Sequence, residues 1–517
     1  MNKRTSQYAF CTSLFILLLH SAYIFLSFFR IPLNSDHASQ VLQAADILNG
    51  NILLRGWNLT GVSFYLSELP FYVIGTAVRG VDTFAYIIAA AAMVICLSMT
   101  GYRAAFKDHH SASLEKTLLY LGLTGIPTLS WLGYLRGHCA IFIYFFLLLI
   151  ITNRILRSDE TSGGQLLCFG ILTACGCMSD MQLLIIGIIP IILFCGTDLL
   201  RNEHRFDKEK SVWILGTAAA GTGTGMVMDS FLMKLGGINK NAFLDTRKFV
   251  NMDALGEKIL LLGKGILTVF RADFSASGPT LRETGSLITA AVIILITVIL
   301  IFKTLRSYLK EGSGDSVSII LSFSLLLMVI ICFFTDIYTS EDSARYIAYM
   351  PFAAGVLICR ELESRARQLK AGFCVPVFLL VLILFFQPPV FHRIETPQDR
   401  LAVFLQQNGL SDGYADFWNA SHTTVAANGN VRVRAIRGRV PELGRPESLE
   451  MQNWFCKTEW YQTSPHNFIV FDGSGYLHIS EDVVTALLGA PDRILETDEY
   501  RIFLYDRDLT KEISVNG

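Results

Sequence analysis

Apolar residues run in long unbroken stretches through most of the chain and in short alternating ones only toward its C-terminal end. A helix needs ~20 apolar residues to cross a bilayer core. Runs of that kind lie near 8–29, 83–103, 117–135, 139–153, 164–178, 182–199, 212–233, 285–302, 317–334, 345–359 and 372–389, which predicts about eleven spans. The first run follows Met1-Asn2-Lys3-Arg4, exceeds a signal-peptide core and lacks a small-residue cleavage site, so it reads as an uncleaved first span. The stretch from Leu69 to Val78 is apolar but too short to cross. It is expected to lie as a helix in the interface.

After Pro388-Pro389 the pattern changes. TPQDRLAVFLQQ and SEDVVTALL have the period of amphipathic helices, while VRVRAI, NFIVFD and YRIFLYD have the alternation or the β-branched and aromatic content of strands. The expected fold is an α-helical polytopic membrane protein, with a transmembrane domain over 1–391 carrying an outer loop at 30–82. A soluble α/β domain follows over 392–517. No period of 20–50 residues repeats, and no matched pair of Gly/Pro-broken spans occurs in two halves.

Composition agrees with the pattern: of 517 residues, 52% are hydrophobic and only 17% charged, so a bilayer is the implied solvent. A net charge of −1 argues against nucleic acid, which needs a basic excess. Basic residues mark every second loop: Lys3 and Arg4; Arg103, Lys107 and Lys116; Arg154 and Arg157; Arg201, Arg205, Lys208 and Lys210; Lys303, Arg306 and Lys310; Arg360, Arg365, Arg367 and Lys370. Those loops and the N-terminus are therefore expected in the cytoplasm of a cell-membrane protein, and an odd number of spans puts the C-terminal domain outside. The long 234–284 loop is also basic, but long loops cross largely regardless of charge. All cysteines but Cys456 lie in or beside apolar runs, so the soluble domain has no internal pair to oxidise. Cys175 and Cys177 are too close and too apolar in setting for a zinc site.

Candidate chemistry gathers where the first span ends. From Asn34 to Asn51, the residues Ala38, Val41, Leu42, Ala45 and Leu48 recur at helical spacing and Gly50 supplies a stop. An amphipathic helix should lie flat on the outer surface there, with Asp36 at headgroup depth. Such an acid has two readings: a first-turn or capping residue, or a functional group at a membrane edge. His37 beside it either tunes that site or sits in the headgroup boundary.

An acid just after the first span, an amphipathic helix ending in Gly50-Asn51, an apolar interfacial helix with Pro70 and then a span together resemble the GT-C superfamily of integral membrane glycosyltransferases. That superfamily includes oligosaccharyltransferases, protein O-mannosyltransferases and aminoarabinose transferases. The resemblance covers about residues 8–160. It implies transfer of a sugar from a polyprenyl phosphate or pyrophosphate donor at the outer face, with Asp36 as the base that takes the acceptor's hydroxyl proton. The acceptor is then a cell-envelope glycan, lipid or protein.

Many members of the superfamily carry a second acidic motif after the third span that helps to hold a divalent cation. Here Arg136-Gly137-His138 stands there instead, which puts metal dependence in doubt. Arg136 suits a lipid phosphate and His138 stands in the place of the acid; the other reading is that both anchor span ends. Asp180 interrupts an apolar stretch at an outer turn, either as a turn residue or as a second site acid. Arg345, at the end of the 335–344 loop, resembles the arginine that holds the donor phosphate in the superfamily, though a bridge to Glu341 or Asp342 is the plainer alternative. In the soluble domain, Tyr414, Asp416 and Trp418 combine aromatics with polar groups, a composition of sugar platforms and, more often, of cores and turns. Two rivals to the glycosyltransferase reading are a transporter or flippase of lipid-linked glycans and a non-catalytic envelope-assembly protein.

Overall fold

The computed structural model describes residues 3–106, 114–160, 162–201, 207–236, 239–240, 248–272, 280–365, 371–440, 447–462 and 465–515. Four of the basic loop residues used for orientation, Lys107, Arg205, Arg367 and Lys370, lie outside them, as do parts of the 234–284 loop. The membrane body comprises α1 (Lys3–Ser27), α2 (Ser35–Leu48), α3 (Leu69–Arg79), α4 (Thr83–Ala105), α5 (Leu114–Thr124), α6 (Leu129–Leu135), α7 (Cys139–Arg157), α8 (Gly163–Ser179), α9 (Ile189–Leu199), α10 (Lys208–Gly236), α11 (Leu255–Val269), α12 (Leu281–Glu311), α13 (Ser316–Phe334), α14 (Met350–Arg365) and α15 (Ala371–Phe385).

Among the described residues, five helical segments are long and apolar enough to cross a membrane: Cys11–Arg30, α4, α7, α12 and α13. This is a multi-pass membrane protein. Of its longer spans, α7 is the most enclosed, with 67% of its apolar window buried, while α12 turns outward with 22%.

The stretch expected to cross once at 117–135 is instead two helices, α5 and α6, bent by 88°. Gly125 and Pro127 lie in the break, and proline cannot continue the hydrogen-bond ladder. Carbonyls freed at the bend are met by Arg271, a fully enclosed guanidinium that donates to Leu123 O at 2.9 Å and Ile126 O at 3.4 Å. The helix α11, which ends just before Arg271, was not foreseen from the sequence because its apolar stripe is short and broken by Lys258 and Lys264.

The helices α2 and α3 form where their pattern predicts them, but α2 is enclosed, with residues 37–44 buried, rather than lying open on a surface. Asn34 caps α2 by accepting from His37 N at 3.2 Å, and Gly50 stands at φ +100° just past the end. Gly75 lets α3 lie against α4, since a Cβ there would meet Ala85 O at 2.3 Å. A three-stranded sheet, β2-β1-β6, joins β1 (Trp57–Leu59) of the first outer loop to β2 (Asn239–Lys240) and to β6 (Cys456–Lys457) of the C-terminal domain.

That domain is built on β3 (Asp412–Ala415), β4 (Arg432–Arg439), β5 (Ser448–Met451), β7 (Phe468–Phe471), β8 (Arg493–Glu496), β9 (Arg501–Leu504) and β10 (Ile513–Ser514), with α16 (Pro397–Gln407), α17 (Phe417–Ala426) and α18 (Glu481–Leu488). Its mixed sheet runs β10-β5-β4-β3-β7-β9-β8, parallel across β4, β3 and β7. Helix α17 docks on α2: Ser39 Oγ lies 3.0 Å from Ser421 Oγ, and Ser35 Oγ donates to Trp418 O at 2.8 Å. Lys457 adds an ion pair to Asp46 at 3.2 Å.

Candidate functional site

The place of Asp36 is set by its neighbours. Asn34 performs the capping of α2, so the carboxylate of Asp36 in the first turn is not needed for that task. The turn leading into α2 is held by Arg136, which donates to Pro32 O at 2.6 Å, to the Tyr86 hydroxyl at 3.4 Å and to Gly133 O at 3.1 Å. Asp36 lines a cavity of about 790 Å³ between the helices and the C-terminal domain. Burial raises its pKa above the ordinary aspartate value, while the Arg345 charge, a hydrogen bond from Trp454 and the Arg136 charge pull it back.

Arg345 reaches the same cavity from a 3₁₀ turn over Glu341–Ile347. Its guanidinium lies over the Tyr346 ring at 5.2 Å from the centroid, and Gly137 passes so close that a Cβ there would sit 3.6 Å from Arg345 Cδ. His37 stacks between Tyr72 and Tyr86, with Nδ1 at 3.0 Å from the Tyr72 hydroxyl. Burial and the Arg136 charge push its pKa well below the ordinary value, so the ring is neutral at physiological pH.

The floor is acidic. His138, at φ +63° just ahead of α7, holds Asp180 by Nδ1 at 2.5 Å, and Asp180 in turn caps the next turn by accepting from Gln182 N at 2.9 Å. Beside them is Glu68, 1% exposed, its carboxyl group facing the backbone N–H groups of His138, Cys139 and Ala140 at the start of α7. Burial and the neighbouring Asp180 raise its pKa well above the ordinary glutamate value.

The roof comes from the C-terminal domain: Trp418, Trp454 and Phe455 line the same cavity. At the switch point of the sheet, where β4 and β7 flank β3, Asp416 and Asp472 stand at the strand ends, joined through Asn419 Nδ2 at 2.6 and 2.8 Å. Trp418 and Tyr476, each about 40% exposed, face one another there at 6.1 Å. Tyr414, by contrast, is core, stacked on His466 at 4.5 Å. Asn58 and Asn419, which begin Asn-X-Ser/Thr sequences, are buried and hydrogen bonded.

The structure thus brings together Asp36, His37, Arg136, His138, Asp180 and Arg345, every residue singled out from the sequence for the membrane site. Of the lining residues, Trp418 was singled out and Asp342 was read only as a partner of Arg345, while Glu68, Trp454 and Phe455 were missed. The available signal for Glu68 was an acid directly before the Leu69-Pro70 start of α3; Trp454 and Phe455 carry no local signal. Among the described residues no group of three or more His, Cys, Asp and Glu side chains is arranged to hold a metal ion. Two guanidinium groups beside Asp36 also repel a divalent cation, so the set does not fit one.

No protein-family model and no curated protein matches the chain. Among solved structures it is similar to the Archaeoglobus fulgidus oligosaccharyltransferase tethered with an acceptor peptide, with a TM-score of 0.43 and 10% identity over 89% of this chain and 69% of that one. It is also similar to ArnT from Cupriavidus metallidurans in the apo state, with a TM-score of 0.40 and 10% identity over 95% of this chain and 97% of that one.

Proposed function

We propose that the protein is a glycosyltransferase that moves a sugar from a polyprenyl-phosphate-linked donor to a cell-envelope acceptor at the outer membrane face. One observation carries the reading: a carboxylate, Asp36, and two guanidinium groups, Arg345 and Arg136, share one cavity at the junction of membrane body and soluble domain. A base, a phosphate clamp and a partly apolar wall are what a donor with a charged head and a lipid tail requires.

In this reading Asp36 takes the proton of the acceptor hydroxyl as its oxygen bonds to the anomeric carbon. The bond from that carbon to the lipid phosphate oxygen breaks, and the electron pair leaves on the phosphate. Arg345 neutralises that charge with its donors, and Arg136 adds a second positive field while holding the turn that carries Asp36. The acceptor comes over the soluble domain, where Trp418 and Tyr476 offer aromatic faces to sugar rings and Asp416 and Asp472 lie at the sheet's switch point.

The test is a comparison of extracted lipids. Cells lacking the protein are expected to accumulate a polyprenyl-linked sugar, and wild-type protein, but not Asp36→Asn, is expected to clear it. Unchanged lipid pools would refute the reading.

A further inference from the structure

The helices that begin or end at the site also lead to a second cavity. Helix α7 starts at Cys139, beside His138, and ends at Arg157, while α13 runs the other way, from Ser316 to Phe334. Over ~28 Å of helix they connect the site to a cavity of about 520 Å³ at the opposite end of the bundle. Its walls are the last turns of α7, α12 and α14 and the start of α13.

Three cations and two anions line it. Arg157 Nη2 lies 3.1 Å and Arg360 Nε 3.0 Å from the two oxygens of Asp315, and Lys303 pairs with Glu361. Cations that merely anchor span ends extend to the surface, yet Arg360 is 2% exposed and its Nη1 has no hydrogen-bond partner. Asp315 caps the first turn of α13, accepting from Ser318 N at 3.1 Å and from Ser318 Oγ at 3.0 Å. The Thr304 hydroxyl also lines the wall, while that of Ser313 is held by Ser307 at 2.6 Å and by Glu311 at 3.2 Å. Phe302 and Leu309 are exposed on α12.

We propose that this cavity binds a phosphate group, either the phosphodiester of an anionic lipid headgroup or a free phosphate. A compact anion with several acceptor oxygens matches the three cations that line the cavity and the partnerless nitrogen of the enclosed Arg360 guanidinium. The site is independent of the glycosyltransferase reading and sits on the opposite side of the bundle from Asp36.

Full-length protein, purified in neutral detergent and stripped of lipid, is titrated with inorganic phosphate, with phosphatidylglycerol and with phosphatidylcholine. Bound adducts are counted by native mass spectrometry and the thermal midpoint is followed. Arg360→Gln removes one of the two guanidinium partners of Asp315 and tests folding as much as binding. Thr304→Glu instead puts a carboxylate on the half-buried wall, with the half-exposed Arg157→Gln as a second variant. Phosphatidylglycerol held over phosphatidylcholine, and lost by about tenfold or more in the variants, supports a lipid phosphate. Inorganic phosphate raising the midpoint, with the same loss in the variants, supports a free one. Equal retention of the two lipids with no response to phosphate, or variants that bind as wild type does, would overturn the site.

Discussion

Replacing Asp36 by Asn separates the chemical role of this residue from its structural one. The amide keeps the shape of the side chain. Capping of α2 belongs to Asn34, so the ~0.5–2 kcal/mol that a lost cap costs is not at stake. What disappears is a first-turn negative charge, worth ~0.3–1 kcal/mol against the helix dipole. Part of the Coulombic support of Arg345 goes with it, though Asp342 still supplies some. Folding is therefore expected to weaken by about 1 kcal/mol or less, a small shift in thermal midpoint. Transfer should fall by ~10²–10⁴, the usual cost of a general base, which corresponds to about 3–5 kcal/mol in the barrier. The assay uses purified protein with donor lipids extracted from cells lacking it, following release of the lipid phosphate and labelling of the acceptor. Asn34→Ala is the matched control, since it removes the cap and leaves the carboxylate. It should lower the midpoint more than Asp36→Asn and the rate far less. Near-normal transfer by folded Asp36→Asn protein would refute the base assignment and favour a non-catalytic assembly role.

Arg345→Gln should cost ~10²–10³ in rate through the lost clamp. It should also move the acid limb of the pH–rate profile upward, because Arg345 is the main influence holding the Asp36 pKa down; an unmoved limb would disconnect the two residues. Folding raises the Glu68 pKa, so its contribution to stability is complete below the ordinary glutamate value of 4.5 and is lost as pH rises toward the raised folded value, at up to ~1.4 kcal/mol per pH unit. Glu68→Gln should flatten that decline of the thermal midpoint with pH, and a parallel decline in both proteins would contradict the burial argument. A tag at the C-terminus should be reached by an impermeant label in intact cells and a tag at the N-terminus only after permeabilisation; the reverse result would invert the orientation and the proposed site with it.

What the sequence revealed was whatever depends on neighbours a few residues away. The period of Ala38, Val41, Leu42 and Ala45 gives α2, and the alternation around Val433 and Phe468 gives strands β4 and β7. Burial and pairing across the chain leave no such trace. Asp180 reads as a turn until His138 is placed 2.5 Å away, and Glu68 reads as surface until α7 packs over it. The bend between α5 and α6 was available in Gly125 and Pro127 but was overridden by the apolar content of the stretch. Trp454 was invisible as a site residue, since its hydrogen bond to Asp36 spans most of the molecule.

The three-residue strand β1 has neighbours from the middle and the end of the chain. Asn58 meets Cys456 across 398 positions, and Trp57 pairs with Lys457. Contacts of such separation form last, because every intervening segment must first be in place. Synthesis therefore delivers a helical body whose segment around β1 waits, unfinished, until the C-terminal domain has docked. Asp36 acquires its roof only at that moment, and a chain stopped anywhere before Trp454 leaves the cavity open.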